Sequence, residues 1–363
     1  MHSPSDLEQF LDTLARAARP GDRLPPIRDL MRRFGVSQMV VQRVFQNLKT
    51  RGLIDAQVGR GTYFLAAGEP SAVARAASRS PAGRSVLLLR RSVNLARGRV
   101  LVEGLQNRFT ADGDRVLGVS YTDPAHALTV LRGLPRFDAC VVQSSFKTIT
   151  IELLAALREK SEVVAVDGAA LVGADVEAVG MEWGEPLAQA VSLLQQQGHS
   201  RIAYACTSHP FLATQLGRRR FDALQATVPG AVLQAISVPQ LPDENYAAAL
   251  VAQLKASLDA TGRLPFTALV VWGIEDGSQF RRLLAEIGVE IPLALSVVLL
   301  GRTDLVSEHA DFFDTLGCSV ADQIEALYQA IQARWANPAL PYGVKLIPVT
   351  RRAGQSVAMP LPA

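Results

Sequence analysis

Beyond residue 85 the chain alternates short apolar runs with amphipathic helical stretches, and this alternation restricts its fold more than any other feature. Residues 86–89, 116–119, 139–142 and 163–166 are apolar at nearly every position, as strands covered on both faces must be. Between them, residues 98–109, 125–134 and 149–158 have a helical period. A second series repeats the theme, with helical stretches 187–197, 214–226, 246–258 and 278–287 and strand-like runs 202–206, 269–272 and 297–300. Such alternation closes as parallel βαβ units. Residues 86–363 are therefore expected to form a two-lobed α/β domain. Its lobes would span about 86–181 and 182–306, with a return crossing before a helix near residues 320–333.

The first 66 residues read differently. Leu7, Phe10, Leu11, Leu14 and Ala18 share one helical face after a Ser5–Glu8 capping pair. A short helix over 27–34 ends at Gly35. A third begins behind Ser37, with Val40, Val41, Val44, Phe45 and Leu48 as its apolar stripe, and stops at Gly52. Two β-like runs, 53–58 and 62–65, flank Gly59-Arg60-Gly61, which is hairpin chemistry. Three helices and a hairpin predict a small α+β winged helix-turn-helix domain over 1–66. Residues 67–85, rich in Ala, Ser, Pro, Gly and Arg without apolar period, predict a linker.

Composition narrows the function classes. With 48% hydrophobic and 20% charged residues, the chain has material for a packed core. No apolar run approaches the ~18 residues of a membrane span, and no export signal is read at the start, so a cytoplasmic protein with no membrane partner is expected. Cys140, Cys206 and Cys318 stand far apart, which suits neither a disulfide framework nor a zinc site. Residues 1–85 hold thirteen Lys/Arg against seven Asp/Glu while the remainder is net acidic, so the basic excess sits in front, where a polyanion would be met. No phosphate-binding loop, HExxH, GxSxG or paired carboxylate–histidine spacing occurs. Neither an enzyme, a metal site nor a cofactor is expected.

The features Leu24-Pro25, Arg28, Leu30, Gly35-Val36-Ser37, Leu48, Gly52-Leu53-Ile54 and Gly59-Arg60-Gly61-Thr62 recur together in order. In these the segment resembles the GntR-type winged helix. The resemblance implies that the third helix enters a major groove of double-stranded DNA. Ser37, Gln38, Met39, Gln42 and Arg43 would then face base edges or phosphates, with Arg28 on a phosphate and Arg60 between Gly59 and Gly61 at the minor groove. Arg32 and Arg33 are read as solvating an exposed face. Many members of the family carry Arg where this chain has Gln38. Glutamine pairs best with adenine and arginine with guanine, so a different operator is expected.

The large domain is similar to the effector domains of LacI/GalR-type repressors, a periplasmic-binding-protein-like (type I) fold. The likeness is carried by Val163-Val164-Ala165-Val166-Asp167, Gln197-Gly198-His199-Ser200-Arg201-Ile202-Ala203, Arg219-Arg220-Phe221-Asp222-Ala223-Leu224, the strand ending at Trp272, Ile287-Gly288-Val289-Glu290-Ile291-Pro292 and Val349-Thr350-Arg351-Arg352. A GntR-type head on such a body is similar to the chimeric build of arabinose-type repressors. The resemblance implies an effector between the lobes, touching Asp167, Trp272 and Arg218. It also implies changes: the sugar-clamping Arg falls at Gly217, one residue before Arg218, the strand-end Asn at Trp272, and the Asp after the next strand at Gly301. His199 is read as a helix-end cap or packing residue, and His209 as a loop residue with no assigned partner.

The expected function is a sequence-specific DNA-binding regulator, a repressor, that binds its operator as a homodimer and responds to a sugar or related metabolite. The competing readings are a DNA-binding regulator whose pocket no longer takes a ligand and, from another class, a solute-binding protein.

Overall fold

The computed structural model describes residues 4–18, 22–50, 54–57, 61–64, 83–92, 95–143, 149–168, 175–210 and 212–361. Gly59, Arg60 and most of the expected linker, 67–82, lie outside the described residues. The chain divides into two compact units, Met1–Ala82 and Gly83–Ala363.

In the first unit, helices α1 (Pro4–Ala17), α2 (Ile27–Phe34) and α3 (Gln38–Thr50) precede strands β1 (Ile54–Gln57) and β2 (Gly61–Phe64). Gly35 takes φ 63°, which ends α2 at little steric cost. The Ser37 carbonyl accepts the first bonds of α3, from the Val40 and Val41 N–H groups. The strands pair antiparallel with Ile54 opposite Phe64. The segment before α2 lies along β2, through Leu24 N–H to Thr62 O at 2.8 Å and Phe64 N–H to Asp22 O at 2.9 Å. One core joins these elements: Leu7 and Leu11 from α1, Leu30 and Phe34 from α2, Val41, Val44 and Leu48 from α3, and Ile54 and Phe64 from the strands. The apolar period of α3 thus turns inward, which leaves its polar side free.

The second unit is two six-stranded sheets. The first runs β13-β7-β6-β5-β3-β4, all parallel: β3 (Ser85–Arg91), β4 (Arg115–Tyr121), β5 (Phe137–Gln143), β6 (Ser161–Asp167), β7 (Glu177–Gly180) and β13 (Val344–Leu346). Its helices are α4 (Ala96–Ala111), α5 (Pro124–Gly133) and α6 (Ile151–Lys160). The second sheet runs β14-β12-β11-β10-β8-β9 and contains β8 (Arg201–Thr207), β9 (Val232–Val238), β10 (Ala268–Trp272), β11 (Ser296–Arg302), β12 (Asp314–Cys318) and β14 (Thr350–Arg352). Only β14 is antiparallel to its neighbour. Its helices are α7 (Gly184–Gln196), α8 (Leu212–Thr227), α9 (Tyr246–Ala256), α10 (Gly277–Glu286) and the short α11 (Val306–His309). Each sheet has an apolar core on both faces, as its unbroken apolar strands require.

The long helix α12 (Val320–Ala336) leaves the second lobe after β12 and packs on the first. Phe109 of α4 stacks obliquely on Tyr328 with ring centres 5.2 Å apart. Gly104 permits that approach, because a Cβ there would lie 2.2 Å from Ile324 Cδ1. The second lobe therefore extends to Cys318, beyond the expected limit near residue 306. The run Asp-Thr-Leu-Gly-Cys has no apolar signature, yet every residue of β12 is buried, because neighbouring strands cover it and Arg351 pairs with Asp314 at 2.5 Å. Strands β7, β9 and β13 are further additions. Strand β9 is an edge strand whose exposed positions break its apolar run.

Candidate functional site

Two surfaces concentrate chemistry. On the first unit, Ser37, Gln38, Gln42 and Arg43 are exposed, and Met39 is 73% exposed. Buried Val41 and Val44 alternate with them, so the core fixes which side of α3 faces outward. An apolar side chain held this far into solvent by a polar neighbourhood is suited to a thymine methyl, and the two glutamine amides to adenine edges. Arg28 is exposed near the start of α2. Arg32 pairs with Asp29 at 2.7 Å, and the Arg33 guanidinium covers the Phe10 ring at 4.3 Å. Each thus has a local partner, while both side chains stay exposed. Gly61 opens β2.

The second surface lies between the lobes of the large unit, where the carboxyl ends of parallel strands meet. Asp167 ends β6 opposite Gln143 of β5, and accepts a hydrogen bond from the Gln323 amide of α12. Arg97, in the first turn of α4, reaches Glu275 beyond β10, with Nη2 2.6 Å from Oε1. The same guanidinium stands 5.8 Å from the ring centre of Trp272, which meets Trp183 edge-on at 6.0 Å. Glu308 of α11 is buried and accepts the Arg302 N–H at 2.8 Å. Burial pushes the Asp167 carboxyl up, while Arg302 and Arg97 pull it back. Burial also raises Glu275, against the pull of Arg97, and carries Glu308 up to about 7, with Arg97 opposing and Glu275 adding to the rise.

Of the three expected effector residues, Asp167 and Trp272 share the neighbourhood of Arg97. Arg218 is exposed on α8 with its guanidinium on the Cys206 thiol. Gly217 has no room for a clamping side chain, since a Cβ there would lie 2.7 Å from the Tyr204 hydroxyl. At Gly301 a Cβ would lie 2.6 Å from Glu308 Oε2, so a carboxylate returns to that place from α11.

Residues 12–64 match the family of bacterial regulatory proteins, gntR family. The N-terminal unit carries a GntR-family DNA-binding domain. Behind this GntR domain, the body has the fold of LacI-family regulators. A LacI family transcriptional regulator from Enterococcus faecium with bound ribose is 15% identical, with a TM-score of 0.62 over 76% of this chain and 99% of that one. One from Weissella paramesenteroides with bound glucose is 18% identical, with a TM-score of 0.60 over 76% and 99%. One from Mycobacterium smegmatis is 17% identical, with a TM-score of 0.60 over 76% and 100%. No curated protein sequence matches the chain. The chain thus joins a gntR-family domain over residues 12–64 to a body with the fold of LacI-family regulators.

Sequence reasoning did not single out Arg97, Glu275, Arg302, Glu308, Gln143 or Gln323 behind the GntR domain. Glu275 carries a signal, three residues past a strand end, and Arg97 another, in the first turn after the first strand of its lobe. Glu308 carries none, because only the fold brings α11 against Gly301. His199 is a packing residue as expected: its ring meets Thr267 Oγ1 at 2.8 Å and Ala358 O at 2.9 Å, and burial lowers its pKa. His209 has a partner after all, Pro239 O at 2.9 Å. The three cysteines are buried and free. Among the described residues, no group of His, Cys, Asp and Glu is arranged to hold a metal ion, and no helix is long and apolar enough to cross a membrane.

Proposed function

We propose that the chain is a cytoplasmic repressor that binds an inverted-repeat operator as a homodimer and answers to a sugar-class metabolite held between its lobes. The observation that carries this reading is the exposed row Gln38, Met39, Gln42 and Arg43 on α3 of the GntR domain, attached to a body of LacI-type fold. Arg28 and Arg60 supply phosphate and groove contacts, and residues 67–85 tether the head. The relatives crystallised with ribose and glucose support the ligand class, with Asp167 and Trp272 as its contacts and Arg218 at the margin. A ligand touching both lobes favours the closed form by its differential affinity, which alters the spacing of the dimer's heads. No catalysis and no cofactor enter this scheme.

Anisotropy titration of a selected operator by the full chain, with and without sugars, tests it. Affinity for one inverted repeat, shifted by a sugar, supports the reading. Uniform affinity for all duplexes contradicts it. A regulator that has lost its ligand is favoured by one observation: the Tyr204 hydroxyl fills the space beside Gly217 where a clamp would stand.

A further inference from the structure

Counting acceptors in the interlobe cleft leaves two over. Glu275 and Glu308 offer four carboxylate oxygens. Arg97 meets Glu275 Oε1 at 2.6 Å, and the Arg302 N–H donates to Glu308 Oε2 at 2.8 Å. Glu275 Oε2 and Glu308 Oε1 remain, both shielded from solvent and without a hydrogen-bond partner among the described residues. Glu308 is only 1% exposed as a residue. A buried charged acceptor left unmade is among the costlier features a fold retains, and such atoms mark places where another molecule completes the site.

The charges lean the same way. Among the described residues, Asp167, Glu275 and Glu308 lie within reach of the Arg97 and Arg302 charges, and Asp243 adds to the acidic side at Glu275. A sugar hydroxyl can donate one hydrogen bond to such an oxygen. An ammonium group donates three and brings a positive charge to the carboxylates. The cleft also has an aromatic wall suited to a cation, since Trp272 already receives the Arg97 guanidinium at 5.8 Å with Trp183 edge-on behind it. Gly301 is what admits the Glu308 carboxylate. The acidic groups are thus built into the strand ends, not scattered on a surface.

We propose that the effector carries a protonated primary amine, seated on Glu275 Oε2 and Glu308 Oε1 beside Trp272. This rests on the reading of the cleft as the effector site and names the ligand's chemical class within it. A hydroxylated or methylene body leads from the amine toward Asp167. A neutral sugar offers each of these oxygens only an uncharged hydroxyl donor.

Calorimetric titration of the full chain with glucosamine, galactosamine and putrescine, each beside its neutral counterpart glucose, galactose or 1,4-butanediol, tests the proposal. At least one amine is expected to bind about tenfold or more tightly than its counterpart, the worth of one charge-assisted hydrogen bond. Glu308→Gln and Glu275→Gln should each remove most of that preference, and Trp272→Ala should weaken both members of the pair. Should Glu308→Gln fail to fold, Glu275→Gln alone decides. Binding of no amine, a neutral counterpart bound as tightly as its amine, or a preference that survives the glutamine variants overturns the proposal. If a neutral sugar binds and Trp272→Ala abolishes it, the amine is wrong and the cleft stands. If binding ignores all three substitutions, the cleft reading falls as well.

Discussion

Arg97 Nη2 and Glu275 Oε1 stand 2.6 Å apart, one side chain rising from the first helix of one lobe and the other from a strand end of its partner lobe. With side-chain exposures of 14% and 18%, the pair is held away from water and spans the cleft. One ion pair therefore joins the two lobes at the proposed effector site, and its loss should affect both stability and any ligand bound there.

Arg97→Ala leaves Glu275 without its ion-pair partner and removes a cation that opposes the rise of Glu308. Removing one partner of such a buried pair costs on the order of 3 kcal/mol. Urea denaturation of the full chain should show a loss of that order, and adding Glu275→Ala should recover part of it. Strict additivity of the two changes would mean that the pair carries no coupling.

Glu308 should make stability depend on pH in a definite direction. Its folded pKa of about 7 lies above the ordinary 4.5, so the proton is bound more tightly in the folded chain. The contribution is therefore full below pH 4.5 and is lost as pH rises through about 7. Relative to Glu308→Gln, the native chain should lose stability across that window, by at most a few kcal/mol. Parallel curves for the two proteins would remove the burial argument.

Gly217 and Tyr204 form a steric pair. Gly217→Ala places a methyl 2.7 Å from the Tyr204 hydroxyl, an overpacking expected to cost about 1–3 kcal/mol. Removing the hydroxyl with Tyr204→Phe in the same chain should recover most of the loss in thermal melts. An unrescued double variant would mean that the helix itself requires glycine.

On the DNA side, Arg28→Ala should weaken binding to every duplex and lower the salt slope by about one, as loss of a phosphate contact does. Gln42→Ala and Gln38→Ala should chiefly relax base preference, each by roughly 1–3 kcal/mol at one position. Titrations of matched and mismatched duplexes at two salt concentrations separate these outcomes. Equal losses on every sequence for the glutamine variants would exclude them from base reading.

Much of the fold is legible in the chain because its signals are local. Gly35 and the stripe Val41, Val44 and Leu48 mark α2 and α3, and the apolar runs of β3, β5, β6 and β10 mark central strands. Strand β12 is not legible. Its burial comes from β11 on one side and from Arg351 of β14 on the other, and its own residues carry no apolar run to announce it. The site divides likewise. Asp167 and Trp272 end recognisable strands, whereas Glu308 matters only because Gly301 leaves room for it. Arg218 matched a family position one residue out of register, and on its helix it meets Cys206.

In the proposed function, the N-terminal unit reads DNA for a ligand-sensing body. Selection from a pool of random duplexes, by the full chain and by residues 83–363 alone, tests it most directly. The full chain should enrich one inverted repeat, with adenine or thymine at the positions facing Gln38, Met39 and Gln42, and the shorter chain should melt cooperatively yet enrich nothing. Enrichment of the same sites by residues 83–363, or of none by the full chain, would contradict it.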